Sequence, residues 1–533
     1  STLLASSAAS DVYKRQVYDR VITACFNRPV LTIVLGVVSV GVGAWVFLSR
    51  PFQLMPIAER NQFAVEIFMP AGTSVERTTQ VADSLERILS KDKRVVSIAS
   101  FHGCSSPRFQ ATYAPQVGGP AFAQFIVNTQ SDEATVDVLD EYTDRYESAF
   151  PDAFVRFKQL SYSNAAYPIE VRLSGHDMAQ LQAVADTFLT EMRKVPGLRS
   201  VRSSLDNPMA SVVVDPDRTA ASRLGLNSVI LESTLALRYS TGLPVATMWE
   251  GDYGIPVVLK TASADSACIT RLMGEPVGLT GATSVPLRQI ADVRPQWHQG
   301  VLQHRNGIPE ISLIAEVERN VNVIDRTEAV MDRLDKIDIP DSVTVKRGGE
   351  WDTSMSILPQ ILSALAMAVA IIFFIILFHY SQTDTAVLLL LSLLLCIPGA
   401  GIGMWLQGTV LSLTCVLGIV SLMGILVRNA IVLLDYAEEL RNEGQTLKDA
   451  VLNASRRRMR PIFLTSAAAT MGVLPMVIGN SALWQPMGVV IFYGTPITMI
   501  FILTVIPVAY WKMKAKSKNA DKPLEEPLET HLV

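Results

Sequence analysis

Cysteine is scarce in this chain: five in 533 residues (Cys25, Cys104, Cys268, Cys396, Cys415), with no two in CxxC spacing. That excludes a zinc ribbon or a thioredoxin-type redox motif. Cys396 and Cys415 lie in apolar runs, where cysteine is a small core residue. Cys104 and Cys268 could pair in an oxidising compartment only if the fold brings them together. The six histidines show no ligand spacing, and HExxH is absent. So are a phosphate-binding loop, a nucleophile motif and clustered acids, which argues against an enzyme and against any cofactor or resident metal. Excess charge is lacking too: the formal net charge is −4, which implies no nucleic-acid partner.

What is plentiful is apolar sequence. Hydrophobic residues make up 49% and charged residues 18%, with mean hydropathy +0.29. That balance fits a membrane protein with a large aqueous part. Six apolar runs are long enough to span a bilayer, which needs about 20 residues. They are Val30–Leu48, Ile357–Phe378, Ala386–Leu406, Val410–Tyr436, Pro461–Ile478 and Met487–Trp511, one run ahead of about 300 mixed residues and five after them. Arg456, Arg457, Arg458 and Arg460 crowd the connection between the fourth and fifth runs, and Lys512, Lys514, Lys516 and Lys518 follow the sixth. Six spans put these sites and the N-terminus on one side, as the positive-inside rule asks. The expectation is a multi-pass protein of a bacterial inner membrane, with both termini of this segment cytoplasmic and the insert in the periplasm.

Read in order, residues 1–16 form a Ser/Ala-rich leader expected to be foreign to the native chain. Residues 17–50 hold the first span. Residues 51–162 alternate strand and helix in a split-βαβ plan, with Thr73 and Glu76 as a capping box for its first helix. A second such unit is expected in residues 163–204 and 304–352, interrupted by a lobe over 205–303. Five spans fill 353–511, and the charged tail 512–533 reads as disordered. The fold class is thus an α/β membrane protein with a 1+5 six-helix bundle and a large external insert. Within the first unit, Ser100–Gly119 is a long loop whose Phe101, Arg108, Phe109 and Tyr113 could line a path for apolar guests or pack on themselves. Thr446–Arg458 reads as an amphipathic helix lying on the cytoplasmic surface.

The fourth run carries the sharpest signal. Arg428 sits about 12 Å before its polar end at ~1.5 Å per residue. A guanidinium there costs at least about 2.5–3.5 kcal/mol unless it is paired or wet, and it marks either an ion or substrate pathway or an arginine snorkelling to the headgroups from a structural helix. At 100° per residue, Thr414, Ser421, Gly424, Arg428 and Asp435 share one stripe, with leucine, isoleucine and valine filling most of the rest. Asp435 is the only carboxylate in the six runs, about 10 Å along the axis from Arg428 and too far for a direct pair. A buried Arg428 therefore needs an acid from another polypeptide segment. A neutralisable acid beside a fixed cation is the minimum for coupling proton entry to a change of shape. In the fifth run, Arg458, Thr465, Ala469 and Gly472 fall on one stripe if the helix is unbroken.

These residues resemble a family. GILVRNAIVLLDYAEELRNEG followed by RRRMRPIFLTSAAATMGVLPMV, with the opening FQLMPIAERNQFAVEIFMPAGTSVERT, is similar to the C-terminal half of resistance-nodulation-division efflux permeases of the hydrophobe/amphiphile type. The resemblance implies a drug/proton antiporter driven by the proton motive force, without a cofactor. It implies a homotrimer joined to a periplasmic adaptor and an outer-membrane channel, and a missing N-terminal half that bears the acidic proton carriers. The two external units would be ferredoxin-like porter subdomains and the lobe a docking subdomain. Arg428 stands where many members have lysine, Arg458 matches an arginine just before the fifth span, and Thr465 the relay hydroxyl; Asp435, Ser421 and Gly424 support them. The 100–119 loop falls where members separate two drug pockets, although its residues differ. Two alternatives remain. Metal-ion efflux would want converging methionines, and the 18 present form no tight cluster. A membrane-anchored scaffold or sensor would not need Arg428.

Overall fold

The structure, a computed structural model, describes residues 18–205, 208–224, 226, 228–239, 243–259, 269–277, 284–319, 321–479 and 481–515. The leader, Cys268 and most of the tail lie outside the described residues, and with them the Cys104–Cys268 pairing. Helix α1 (Pro29–Leu48) has the length and composition of a membrane span.

The first α/β unit follows: β1 (Gln62–Phe68), α2 (Val75–Leu89), β2 (Val95–His102), β3 (Phe122–Thr129), α3 (Asp132–Tyr146) and β4 (Phe154–Gln159). Its sheet runs β2-β3-β1-β4, antiparallel throughout. Strand β1 is central and buried on both faces. Alternation sends Phe63, Val65 and Ile67 into the core under α2 and α3. It sends Ala64 and Glu66 to the opposite face, which is also covered. The start of α2 differs from the capping box expected at Thr73. Thr73 Oγ1 is spent on Pro70 O at 2.6 Å, and Ser74 Oγ accepts from the Arg77 N–H instead. Strand β2 extends to His102, so Ser100 and Phe101 belong to a strand rather than opening a loop.

The second unit begins with β5 (Ile169–Ser174), α4 (Met178–Met192) and β6 (Leu198–Ser203). The inserted lobe holds β7 (Pro208–Pro216), α5 (Arg218–Arg223), α6 (Ser228–Tyr239), β8 (Leu243–Glu250) and β9 (Tyr253–Leu259). It continues with α7 (Ile269–Met273), β10 (Pro276–Val277), β11 (Val285–Pro286) and β12 (Ala291–Gln299). Strands β7 and β12 pair from Pro208↔Gln299 to Pro216↔Ala291, closing the lobe at its base. Sequence periodicity gave no warning of that pairing. The second unit resumes with β13 (Gln303–Arg305), β14 (Ile308–Val317), α8 (Val323–Leu334) and β15 (Thr344–Arg347). Strand β5 lies between β14 and β15, while β6 and β13 both pair with β14.

The remaining helices are α9 (Gly349–Tyr380), α10 (Thr383–Ser392), α11 (Cys396–Gln407), α12 (Leu413–Asn442), α13 (Leu447–Gly472), α14 (Leu474–Ile478) and α15 (Gln485–Ala515). With α1 they supply six stretches long and apolar enough to cross a membrane. Helix α15 packs against α11, α12 and α13. Glycines set the closest approaches: a Cβ on Gly399 would stand 2.7 Å from Gly494 Cα, and one on Gly43 2.4 Å from Pro398 Cα. Small residues at such crossings let the backbones meet where lipid offers no hydrophobic drive. Helix α13 runs unbroken through Pro461, so the basic stretch expected as a separate helix is continuous with the fifth apolar run.

Candidate functional site

On α12, Leu422, Leu426, Leu433 and Leu434 are fully buried against the bundle. Ser421, Gly424 and Arg428 lie on an exposed face. A Cβ on Gly424 would meet nothing within 4 Å. Arg428 has no hydrogen-bond or ion-pair partner among the described residues. The Ser421–Gly424–Arg428 part of the stripe therefore lies on the surface of these six helices, because their leucine faces satisfy the packing, while Thr414 at its start is buried. The exposed hydroxyl closes on its own helix: Ser421 Oγ donates to Leu417 O at 3.0 Å.

Asp435 turns to α9, where His379 Nε2 lies 3.1 and 3.2 Å from its two oxygens. Arg458 is not brought to Arg428. Its guanidinium stacks on the Tyr436 ring at 4.5 Å, while Arg457 donates to the Tyr436 hydroxyl at 2.7 Å. Thr465 is exposed and donates to Ile462 O at 3.1 Å, the local back-bonding open to a mid-helix hydroxyl. Sequence reading missed Asn429, which is 4% exposed and donates to Ser466 Oγ at 3.4 Å across α12 and α13. Its signal was an amide inside an apolar run, overshadowed by the charge beside it.

In the first unit the loop residues separate. Arg108 is exposed, while Phe109 stacks on Tyr113 with centroids 4.8 Å apart. Tyr113 is 3% exposed and donates to Glu66 Oε1 at 2.6 Å, and Gln124 donates to its hydroxyl at 2.8 Å. Arg156 holds the other Glu66 oxygen at 3.0 Å and also reaches Glu316 of β14 at 2.5 Å. Lys158 lies 3.8 Å from Glu66. Burial drives the Glu66 carboxyl up, but Arg156, Lys158 and the Tyr113 hydroxyl more than reverse it, so its pKa ends lowered. Burial, against the pull of Glu66, brings Lys158 down to about 8. Tyr113 is thus the anchor of a buried charge network, and the four loop residues do not form one apolar wall.

Beside that network, Arg156, Lys158, Glu316, Arg319 and Glu350 line a cavity of about 420 Å³ between the two units. Arg319 of the second unit grips Asp140 of the first at 2.7 and 2.9 Å. The second unit is tied to α9 as well. Arg172 bridges Glu170 at 2.8 Å and Asp352 at 3.0 Å. Gly349 adopts φ +67°, and a Cβ there would lie 2.6 Å from Pro168 O. A displacement of β5 must therefore move the head of α9.

Six helices long and apolar enough to cross a membrane, with an α/β insert between the first and second, have the layout of a multi-span permease. A model of the AcrB/AcrD/AcrF family matches residues 6–514, and the chain belongs to that family of resistance-nodulation-division permeases, which are transporters and not enzymes. The cobalt-zinc-cadmium resistance protein CzcA of Cupriavidus metallidurans is 24% identical over 387 residues, covering 71% of this chain and 36% of that protein. The cation efflux system protein CzcA of an Alcaligenes species matches with the same identity and coverage. Two crystal forms of a heavy metal efflux pump superpose with TM-scores of 0.76 and 0.78 at 19% identity. They cover 95% of this chain and 53% and 52% of theirs. The chain thus spans about a third of the length of the curated relatives and half of the solved pump.

Proposed function

We propose that this chain is the C-terminal half of a proton-driven efflux permease whose cargo is a heavy-metal cation. The observation that carries the coupling is Arg428, a cation inside an apolar helix on an exposed small-residue face, with no ion-pair partner among the described residues. A second half supplying carboxylates to that face would give the cation a partner whose charge a proton can cancel. Arg458 and Thr465 serve the same relay through α13, with Asp435, Ser421 and Gly424 in support. The cargo is read from the relatives, which carry cation-resistance names, in place of the amphiphile suggested by the sequence. The sealed Tyr113 network also speaks against an apolar path.

In this reading the six helices form a 1+5 bundle in the inner membrane. Residues 51–162, and 163–204 with 304–352, are ferredoxin-like porter subdomains in the periplasm, and 205–303 is the docking lobe. The permease works as a trimer with an adaptor and an outer-membrane channel. The 100–119 loop, anchored by Tyr113, borders the cargo route through Phe101, Arg108 and Phe109. Motion passes through Glu170–Arg172–Asp352 into α9. The test is resistance to Zn²⁺, Co²⁺ and Cd²⁺, with intracellular metal content, in a pump-deficient host carrying the full permease. Arg428→Leu should abolish resistance at normal protein levels, and Arg428→Lys should retain part of it. Export of dyes without any cation would return the cargo to the amphiphile class, and full activity of Arg428→Leu would end the relay reading.

A further inference from the structure

The first α/β unit carries a second polar cluster that neither the charge network nor the membrane stripe uses. Asp83 and Glu86 stand one turn apart on α2, and His102 closes β2 beneath them. One oxygen from each carboxylate and one imidazole nitrogen lie within 4.8 Å of one another. No hydrogen bond or ion pair joins the imidazole to either acid among the described residues. His102 Nε2 is shut off from solvent and has no hydrogen-bond partner. A buried ring nitrogen is ordinarily spent on a hydrogen bond; this one is not.

The niche is also held in shape. Ser100 Oγ donates to Glu86 Oε2 at 2.7 Å. Ser100 and His102 stand two residues apart on β2, so both point to the face that α2 covers. An outer donor of this kind orients a ligating carboxylate. Two carboxylate oxygens and one imidazole nitrogen form a donor set for a divalent ion of borderline hardness, and they lack the sulfur that would favour Cu(I). Three protein ligands leave coordination positions for water, as exchangeable sites do.

We propose that Asp83, Glu86 and His102 bind one divalent transition ion, Zn²⁺ or Co²⁺, on the first α/β unit. The proposal deepens the cation-efflux reading and rests on it for physiological meaning, because an ion that enters past the exposed Asp83 and is held there would be cargo captured before transport. Binding itself can be tested apart from transport. The full chain, purified in detergent and stripped of metal, is titrated with Co²⁺ and followed by its visible absorption. One equivalent should bind, with N/O-ligand bands that Zn²⁺ abolishes. His102→Ala, and separately Asp83→Asn, should each weaken binding at least tenfold while the metal-free thermal transition stays in place. Ser100→Ala should weaken it less. Saturation unchanged in both ligand variants, or no bands up to millimolar Co²⁺, would overturn the site. If Co²⁺ binds through His102 yet the permease confers no cation resistance, the efflux reading falls and the site stands; the reverse result removes only the site.

Discussion

At the scale of single residues, burial and pairing decide what each charge is worth. Glu66 is fully buried and Arg156 is 4% exposed. Removing one member of such a pair strands the other, at a cost of about 3–5 kcal/mol, whereas removing both together is often close to neutral. Arg156→Met should therefore lower the unfolding midpoint of the insert sharply, and Arg156→Met with Glu66→Gln should recover most of the loss. Lys158 gives the pH signature. Its folded pKa is held at about 8 against 10.5, so between those values the unfolded chain binds more protons and stability rises with pH. Lys158→Met should flatten that rise when thermal midpoints are taken from pH 7 to 11. Glu66 acts at the other end: its lowered pKa contributes stability above the ordinary carboxyl range that is lost as pH falls through the folded value.

Between elements, glycines mark where backbones must touch. Gly399 meets Gly494 and Gly349 sits at positive φ against Pro168 O, while Gly424 faces open space. Gly399→Val should destabilise the bundle by roughly 1–3 kcal/mol through overpacking, read as a lower midpoint in detergent. Gly349→Ala forces a strained conformation costing about 1–3 kcal/mol at the joint between β15 and α9. That change should impair transport more than it lowers helical content, because the joint is where the insert grips the membrane helices.

For the molecule as a whole, the exposed stripe makes a different demand. Gly424→Trp should leave this chain's unfolding free energy in detergent within about 0.5 kcal/mol of the parent, as surface changes do. The same substitution should block transport by the full permease if, as proposed, a second half packs against the stripe. Equal transport by both proteins would show that the stripe faces lipid. Arg428→Leu shares this logic, since it removes a charge that contributes nothing to the packing of these six helices.

The amino-acid order by itself determined the number of apolar helices, the strand–helix alternation of the insert and the stripe that carries Arg428. Those features follow from composition, the 3.6 and 2.0 periodicities and charge at chain connections, all of them local. Tertiary structure alone decided that Ser421, Gly424 and Arg428 lie outside the six-helix packing, that Asp435 joins His379 and that Tyr113 is sealed over Glu66. It also brought His102 to Asp83 and Glu86 and closed the lobe through β7 and β12. Each of these depends on which distant segments meet across a sheet or between helices, and no spacing along the chain encodes that meeting.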